Sequence, residues 1–461
     1  MERKNKVVDI SKKSFFSAVI VLLLFMVVAT VLTFVLPKGK FAVGADGTVD
    51  YSNFVSLGKD GGINIFKAIF SPFLIFVSDG MLQPIMLSLF LVIIAGVFQS
   101  MLDCGGMQAI VSRLVNKFKD KRFAFICLLS LFFMCLGSFF GLFEETLILL
   151  PMVVTVCISL GYDAVTGFFV CMLSTGIGFS VALTNPFTVV YSSNIINASV
   201  TSGIWFRIIC FALFYALVIG FIWLYVRRFN DAKIQTTESV KIVGTKKTFL
   251  IWTVFLLVAL FCLILFTSLP FLRDLSTPLL AVVFLIGGGV AGSMSFGFKT
   301  TAKSFGKGAL SALPAVVMIA LAFSVKYILV EGNVLDTVTH YITTVVEGKN
   351  KYVTMLILFA IILLLEFFIS SSTAKAVFVM GVLSGVVRSG ALSISPELLV
   401  LIYVFSDGFT NMLFPTSPTL LIGLSMTGQS YTDWLKKSKF LFPLIFALCV
   451  ALLMLAMAIG Y

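Results

Sequence analysis

Charge is scarce in this chain of 461 residues: only 12% are Asp, Glu, Lys or Arg, about half the share usual in a soluble domain. Hydrophobic residues make up 59%, and the mean hydropathy is +1.10. Too little polar surface remains to cover a water-facing globule. Histidine is reduced to His340, which alone builds neither a zinc site nor haem ligation. The eight cysteines include no C-x-x-C pair, and seven lie in apolar stretches, where a thiol behaves as a small hydrophobe. A phosphate loop is missing. Its nearest match, Ser304-Phe305-Gly306-Lys307-Gly308, lacks the upstream Gly and the following Ser/Thr. These absences exclude most cofactor and metal chemistry and leave no ATP engine, so no cofactor is expected. Any transport would be driven by an ion or by exchange.

What the chain has in abundance is apolar length. Spans fall near 15–36, 81–102, 124–160, 163–193, 204–226, 248–268, 278–296, 309–330, 352–387, 397–427 and 440–460. Long runs of this kind, without alternating ten-residue strands, specify an all-α integral membrane protein in contact with the lipid bilayer. Four runs exceed the roughly 20 residues that one crossing needs. Two of them, 124–160 and 352–387, have polar, Gly- or Ser-rich middles and read either as re-entrant hairpins or as paired crossings. The other two, 163–193 and 397–427, carry Thr-Asn-Pro and Thr-Ser-Pro and read as one broken helix each.

The net charge of +12 would suggest nucleic acid in a soluble protein; here it encodes topology. With hairpins that return to their own side, segments 1–14, 105–123, 227–247, 297–308 and 428–439 hold 22 of the 33 Lys+Arg, and the opposite side holds nine. The expected orientation is therefore a multi-pass protein with its N-terminus in the cytoplasm and Tyr461 outside. Residues 1–14 with the run 15–36 look like the start of a signal peptide, but the run is too long and no cleavage site precedes Pro37, so a retained first helix is expected. Phe41-Ala42-Val43 and Thr48-Val49-Asp50-Tyr51 flank Gly44-Ala45-Asp46-Gly47 and predict a small external β-hairpin.

The order of parts repeats. A cytoplasmic linker, 227–247, separates an N-terminal half, 15–226, from a C-terminal half, 248–461. Within them, 81–226 and 309–461 each read as a span, an amphipathic arm, a hairpin, a broken helix and a final helix. The first arm places Met107, Ile110, Val111, Leu114, Val115 and Phe118 on one face; the second places Val334, Leu335, Val338, Tyr341, Ile342 and Val345 likewise. By the charge count, span 81–102 runs inward and 309–330 outward, so the repeats are inverted. Glu144-Glu145-Thr146 at the first hairpin turn faces Ser371-Ser372-Thr373 at the second. Ser174-Thr175-Gly176 precedes Thr184-Asn185-Pro186 by the same offset that separates Ser406-Asp407-Gly408 from Thr416-Ser417-Pro418. Secondary transporters place their sites at such paired discontinuous helices, whose N-terminal ends attract a carboxylate and whose carbonyl ends suit Na⁺.

Gly141-Leu142-Phe143-Glu144-Glu145-Thr146, Leu160-Gly161-Tyr162-Asp163 and Asn185-Pro186-Phe187 in the first half resemble the YfcC family. In the second half so do Phe367-Phe368 with Ser370, Asp407-Gly408-Phe409, Phe414-Pro415-Thr416-Ser417 and Asp433-Trp434-Leu435-Lys436. This family sits in the C4-dicarboxylate anaerobic carrier-like group of the ion transporter superfamily, alongside the divalent anion/Na⁺ symporters. The resemblance implies two hairpins, a scaffold domain, a homodimer and elevator-type movement. It also implies exchange of basic amino acids of the arginine/ornithine type, or transport of dicarboxylates coupled to Na⁺ or H⁺. The symporters' Ser-Asn-Thr hairpin signature is replaced here by Glu-Glu-Thr and Ser-Ser-Thr.

Charged residues at membrane depth are few: Glu144, Glu145, Lys326, Glu366, Lys375 and Asp407. Each costs about 2.5–3.5 kcal/mol on insertion scales unless it finds a partner or a cavity. Glu144 and Glu145, being adjacent, favour a bound cation or shared proton, or else cap the helix that begins at Thr146. Glu145, next to the Thr146 hydroxyl, ranks first. Asp407, four residues before Asn411, is a second candidate cation ligand. Lys375 is expected to pair with an acid or to receive a carboxylate. The candidate site for a small-molecule solute and its ion is thus Glu144, Glu145, Thr146, Thr184, Asn185, Pro186, Ser371, Ser372, Thr373, Asp407, Asn411, Thr416 and Ser417, with Na⁺ expected near Gly176 and Gly408.

Overall fold

A backbone surrounded by lipid must satisfy its N–H and C=O groups internally, and a helix does so residue by residue. The computed structural model describes residues 12–43, 49–58, 62–78, 82–230, 245–269, 271–272, 275–334, 336–337, 340–341, 345, 349–369, 372, 375–376, 379–381, 383 and 394–461. Among these, seven helices are long and apolar enough to cross a membrane. The protein is a multi-pass membrane protein.

Helix α1, Lys12–Val35, buries Leu22, Met26, Ala29 and Thr33 and exposes Ile20, Leu24, Val27 and Val31. Spacings of three and four residues on each stripe give one face to protein and one to lipid. Strands β1, Lys38–Val43, and β2, Val49–Gly58, then pair antiparallel, with Val43 opposite Val49 and Phe41 opposite Phe54. The expected hairpin is present and longer than its motif suggested; its turn, 44–48, lies outside the described residues. The Phe41 N–H donates to Asp336 Oδ2 at 3.4 Å, and His340 stacks on Phe54 at 4.0 Å. The lone histidine therefore serves packing between this cap and the second arm. Helix α2, Ile65–Leu74, is too short to cross a bilayer and was not among the expected spans. It packs on the helix Leu313–Glu331, where Lys67 pairs with Glu331 at 2.8 Å. That partner raises the lysine above its ordinary pKa.

The first half continues with α3, Leu82–Asp103, and α4, Gly106–Phe118, the amphipathic arm, which buries Met107, Ile110, Val111 and Val115 as its pattern required. Helix α5, Arg122–Cys135, runs into a π-turn, Leu136–Phe140. The chain reverses through a 3-10 turn, Glu144–Ile148, into α6, Leu150–Ser159. Helix α7, Ala164–Ser180, is followed after a break by α8, which starts as Pro186–Val190 and continues as Tyr191–Ile196. Helix α9, Ile204–Asn230, follows and runs four residues past the end expected for its span at 226.

The second half opens with α10, Lys246–Ser268, and α11, Ser276–Val283 extended to Phe296 through a π-turn. Segment 297–308, counted above as a cytoplasmic connection, is helical: α12, Phe298–Ser311, lies along α3 and leads into α13, Leu313–Glu331. Lys299, Lys303 and Lys307 recur every four residues on its outer face, while Thr301, Ser304 and Gly308 are buried. A Cβ on Gly308 would lie 2.2 Å from the Ala95 carbonyl, so glycine lets α12 and α3 touch.

Of the second arm, Val334 is buried and Tyr341 and Val345 are exposed; Leu335, Val338 and Ile342 lie outside the described residues. Then follow α14, Lys351–Glu366; α15, Pro396–Ser406; a 3-10 turn, Gly408–Met412; α16, Pro418–Met426; α17, Tyr431–Ser438; and α18, Leu441–Ile459. Helices α7 and α15 lie at the centre, with Phe168 to Leu173 and Leu401 to Phe405 wholly enclosed. Both are the broken ones. Interrupted backbone is tolerated at membrane depth where protein, not lipid, surrounds it.

Candidate solute and ion site

The first break is short. Helix α7 ends at Ser180, and Asn185 caps α8, its Oδ1 accepting from Phe187 N at 2.8 Å and Thr188 N at 3.3 Å while Nδ2 donates to the Gly137 carbonyl at 3.4 Å. Pro186, with no N–H to satisfy, takes the first helical position. The hairpin fills the gap. Ser138 Oγ donates to the Val181 carbonyl at 2.9 Å, and the Ser138 carbonyl accepts from Leu183 N at 3.0 Å. Thr184 Oγ1 donates to the Phe139 carbonyl at 3.1 Å. Gly141, at φ 69°, leaves no room for a Cβ, which would sit 2.3 Å from Asn185 Oδ1. The sequence marks Thr184-Asn185-Pro186 as candidate ligands; the geometry gives their polar atoms structural partners and adds Ser138, which the motif reading passed over. Replacing Asn185 with Ala is therefore expected to lower stability by about 0.5–2 kcal/mol, the usual loss for a cap. Solute affinity should be unchanged in the folded fraction, measured by thermal unfolding beside solute binding; a selective loss of affinity at full stability would contradict this.

The second break is long. Helix α15 stops at Ser406, eleven residues before Ser417 caps α16 through its Oγ, which accepts from Leu420 N at 3.4 Å. Two side chains of α17 hold the carbonyls between: Trp434 Nε1 donates to Met412 O and Tyr431 Oη to Leu413 O, each at 2.8 Å. The motif at Thr416-Ser417-Pro418 marks only the far side of this break. Thr416 is buried within it.

The two broken helices meet. The Phe409 N–H donates to Ser180 Oγ, and a Cβ on Gly408 would lie 2.2 Å from Ser180 N and 2.7 Å from the Gly176 carbonyl. Gly176 thus sits inside the intact part of α7, against Gly408, rather than at a break. Gly408→Ala should force the helices apart at a cost of about 1–3 kcal/mol. A lowered unfolding temperature in detergent would register it, and wild-type stability would refute the close crossing.

Charge concentrates at the second break. Lys375 is wholly buried and pairs with Glu366, at the end of α14, and with Asp407 Oδ1 at 3.2 Å. Asn411 Nδ2 donates to the same Oδ1 at 3.3 Å. The Tyr403 ring lies 5.7 Å from the ammonium, and its hydroxyl donates to the Ser372 carbonyl. Ser371 and Thr373 lie outside the described residues. Pairing of Lys375 with an acid agrees with the sequence reading. That its partners are Glu366 and Asp407 together was not legible there, although all three stand out as charges at membrane depth.

Glu144 and Glu145 part company at the hairpin tip. Glu144 points into an apolar cleft lined by Leu91, Ile94, Leu147, Pro151 and Met426. Glu145 is buried and turns towards the N–H groups of Phe143 and Glu145 and the Thr277 side chain of α11. Thr146 Oγ1 donates to the Phe143 carbonyl at 2.6 Å. Among the described residues, neither glutamate reaches a basic side chain.

The model of the C4-dicarboxylate anaerobic carrier family, DcuC, matches residues 15–459. The chain belongs to this family. As a DcuC-family protein it is a secondary transporter and not an enzyme. A relative from Escherichia coli named "Putative basic amino acid antiporter YfcC" is 24% identical over 394 residues, covering 81% of this chain and 78% of its own. An uncharacterized protein of Haemophilus influenzae is 23% identical over 401 residues, with 80% and 74% covered. Among solved structures, the YdaH transporter of Alcanivorax borkumensis aligns with a TM-score of 0.46 at 17% identity, covering 96% of this chain and 99% of its own. MtrF of Neisseria gonorrhoeae, described as one of a class of antimetabolite efflux pumps, aligns at 0.38 and 14%, covering 95% and 94%.

Proposed function

We propose that this DcuC-family transporter exchanges small carboxylated solutes by alternating access, with a basic amino acid as its preferred solute. One observation carries the reading: the hairpin tip presents two carboxylates, Glu144 and Glu145, for which the described residues supply no cationic partner. A carboxylate at membrane depth calls for a counter-charge. A solute with an ammonium or guanidinium group brings one, while the helix ends at the breaks suit its carboxylate. The name of the Escherichia coli relative supports the same solute class. Inverted halves, elevator-type movement of a homodimer and an N-terminus on the cytoplasmic side of the bacterial inner membrane complete the proposal, the last supported by the 22 to nine distribution of Lys and Arg.

A second reading is transport of a C4-dicarboxylate coupled to Na⁺ or H⁺, which the family's description favours. It requires cations to screen the same acids. The two separate in liposomes loaded with solute. Purified protein is expected to exchange labelled arginine against internal arginine or ornithine, with succinate as a poor competitor. Exchange of succinate that arginine does not inhibit would replace the first reading by the second.

A further inference from the structure

Helix α15 is enclosed by α7, α8, α14 and α18. Along these helices the sequence offers no charged side chain at membrane depth except Glu366, and 370–387 offers only Lys375. Glu397 stands at the far end of α15, in its first turn. Among the described residues, the other titratable group beside the cluster is the phenol of Tyr403, which in turn lies near Tyr191 of α8. Two carboxylates and one ammonium therefore form, among the described residues, a set whose formal charge is minus one.

The geometry shows where the deficit lies. Lys375 reaches Glu366 Oε2 and Asp407 Oδ1, whereas Glu366 Oε1 and Asp407 Oδ2 are buried without a hydrogen-bond partner among the described residues. Asp407 also stands just past the last residue of α15, where the helix's own carbonyl end adds negative potential. A buried, unpaired negative charge is not a stable resting arrangement. We propose that the Glu366–Lys375–Asp407 cluster binds one monovalent cation, a proton or Na⁺, at the two free carboxylate oxygens. The bound cation brings the cluster to neutrality beside the crossing of the two broken helices. Its use as the coupling ion of transport rests on the exchanger reading above; its binding does not.

The test therefore omits solute. The full-length protein in detergent is unfolded thermally under two titrations: NaCl against choline chloride at fixed pH, and pH at fixed salt. If the cation is Na⁺, the midpoint rises saturably, by about 2 °C or more between roughly 1 and roughly 100 mM Na⁺, and choline has no such effect. If it is a proton, Na⁺ and choline act alike, and the wild type gains stability on acidification relative to Glu366→Gln and Asp407→Asn. Each variant makes the cluster neutral without a guest, so each should lose the response. The uncharged triple variant, Glu366→Gln with Lys375→Met and Asp407→Asn, serves as reference if a single variant does not fold. A wild type with no Na⁺-specific rise, and with the pH dependence of these variants, overturns the site. Failure of arginine exchange with the cation response intact would instead reject only the solute.

Discussion

Lys375→Met is expected to remove most of the protein's stability. The substitution keeps the stem's bulk but leaves the buried Glu366 and Asp407 facing each other with no ammonium between them. Removing one partner of a buried ion pair typically costs about 3–5 kcal/mol, and here one deletion strands two carboxylates. The variant should accumulate poorly in membranes and unfold well below the wild type in detergent. The uncharged triple variant should recover most of the loss, because an apolar or neutral replacement of a complete buried cluster is often tolerated. Expression level and unfolding midpoint read both effects. A Lys375→Met protein as stable as the wild type would show that the lysine does not hold the cluster.

Glu144→Gln should abolish exchange of basic amino acids while leaving the fold intact. Glu144 faces the cleft between the hairpin tip, α3 and α16 and makes no hydrogen bond or ion pair among the described residues. Removing it should therefore cost little in stability. If a guanidinium pairs with it in a low-dielectric site, the loss is again about 3–5 kcal/mol, a hundredfold or more in affinity. Glu145→Gln should impair exchange less, because that carboxylate already faces backbone N–H groups and Thr277. The geometry reverses the order drawn from the neighbouring Thr146 hydroxyl, which is occupied by the Phe143 carbonyl. Arginine counterflow by the two variants in liposomes decides; equal activity of Glu144→Gln and wild type would remove this residue from the site.

The parts of the fold that could be read from residues are those governed by local chemistry. Asn or Ser followed by Pro favours a helix start, and Asn185-Pro186 and Ser417-Pro418 place both restarts. The period of the first arm did the same for α4. Where the preceding helices stop was not readable. Helix α7 continues to Ser180, six residues past the position matching Ser406, because Ser138 from the hairpin satisfies the open backbone after it. No local signal announces a partner 43 residues away. The pairing of Lys375 with Asp407 is equally a product of packing. For α12 the signal was present: lysines at a spacing of four oppose Thr301, Ser304 and Gly308, but a count of charges by side of the membrane ignores their period.

The bond from Trp434 to the Met412 carbonyl gives the second break an optical handle. The chain has four tryptophans. Trp205 and Trp223 are substantially exposed on the outer surface of α9, and Trp252 is buried on α10 beside Cys104. Only Trp434 donates its indole N–H into the interrupted backbone, with Phe168 and Phe442 against its ring. Any rearrangement that shifts Met412 changes both the polarity and the hydrogen bonding that this indole senses. With the other three replaced by Phe, the emission of a single residue would follow the movement of the break in real time, without an attached dye.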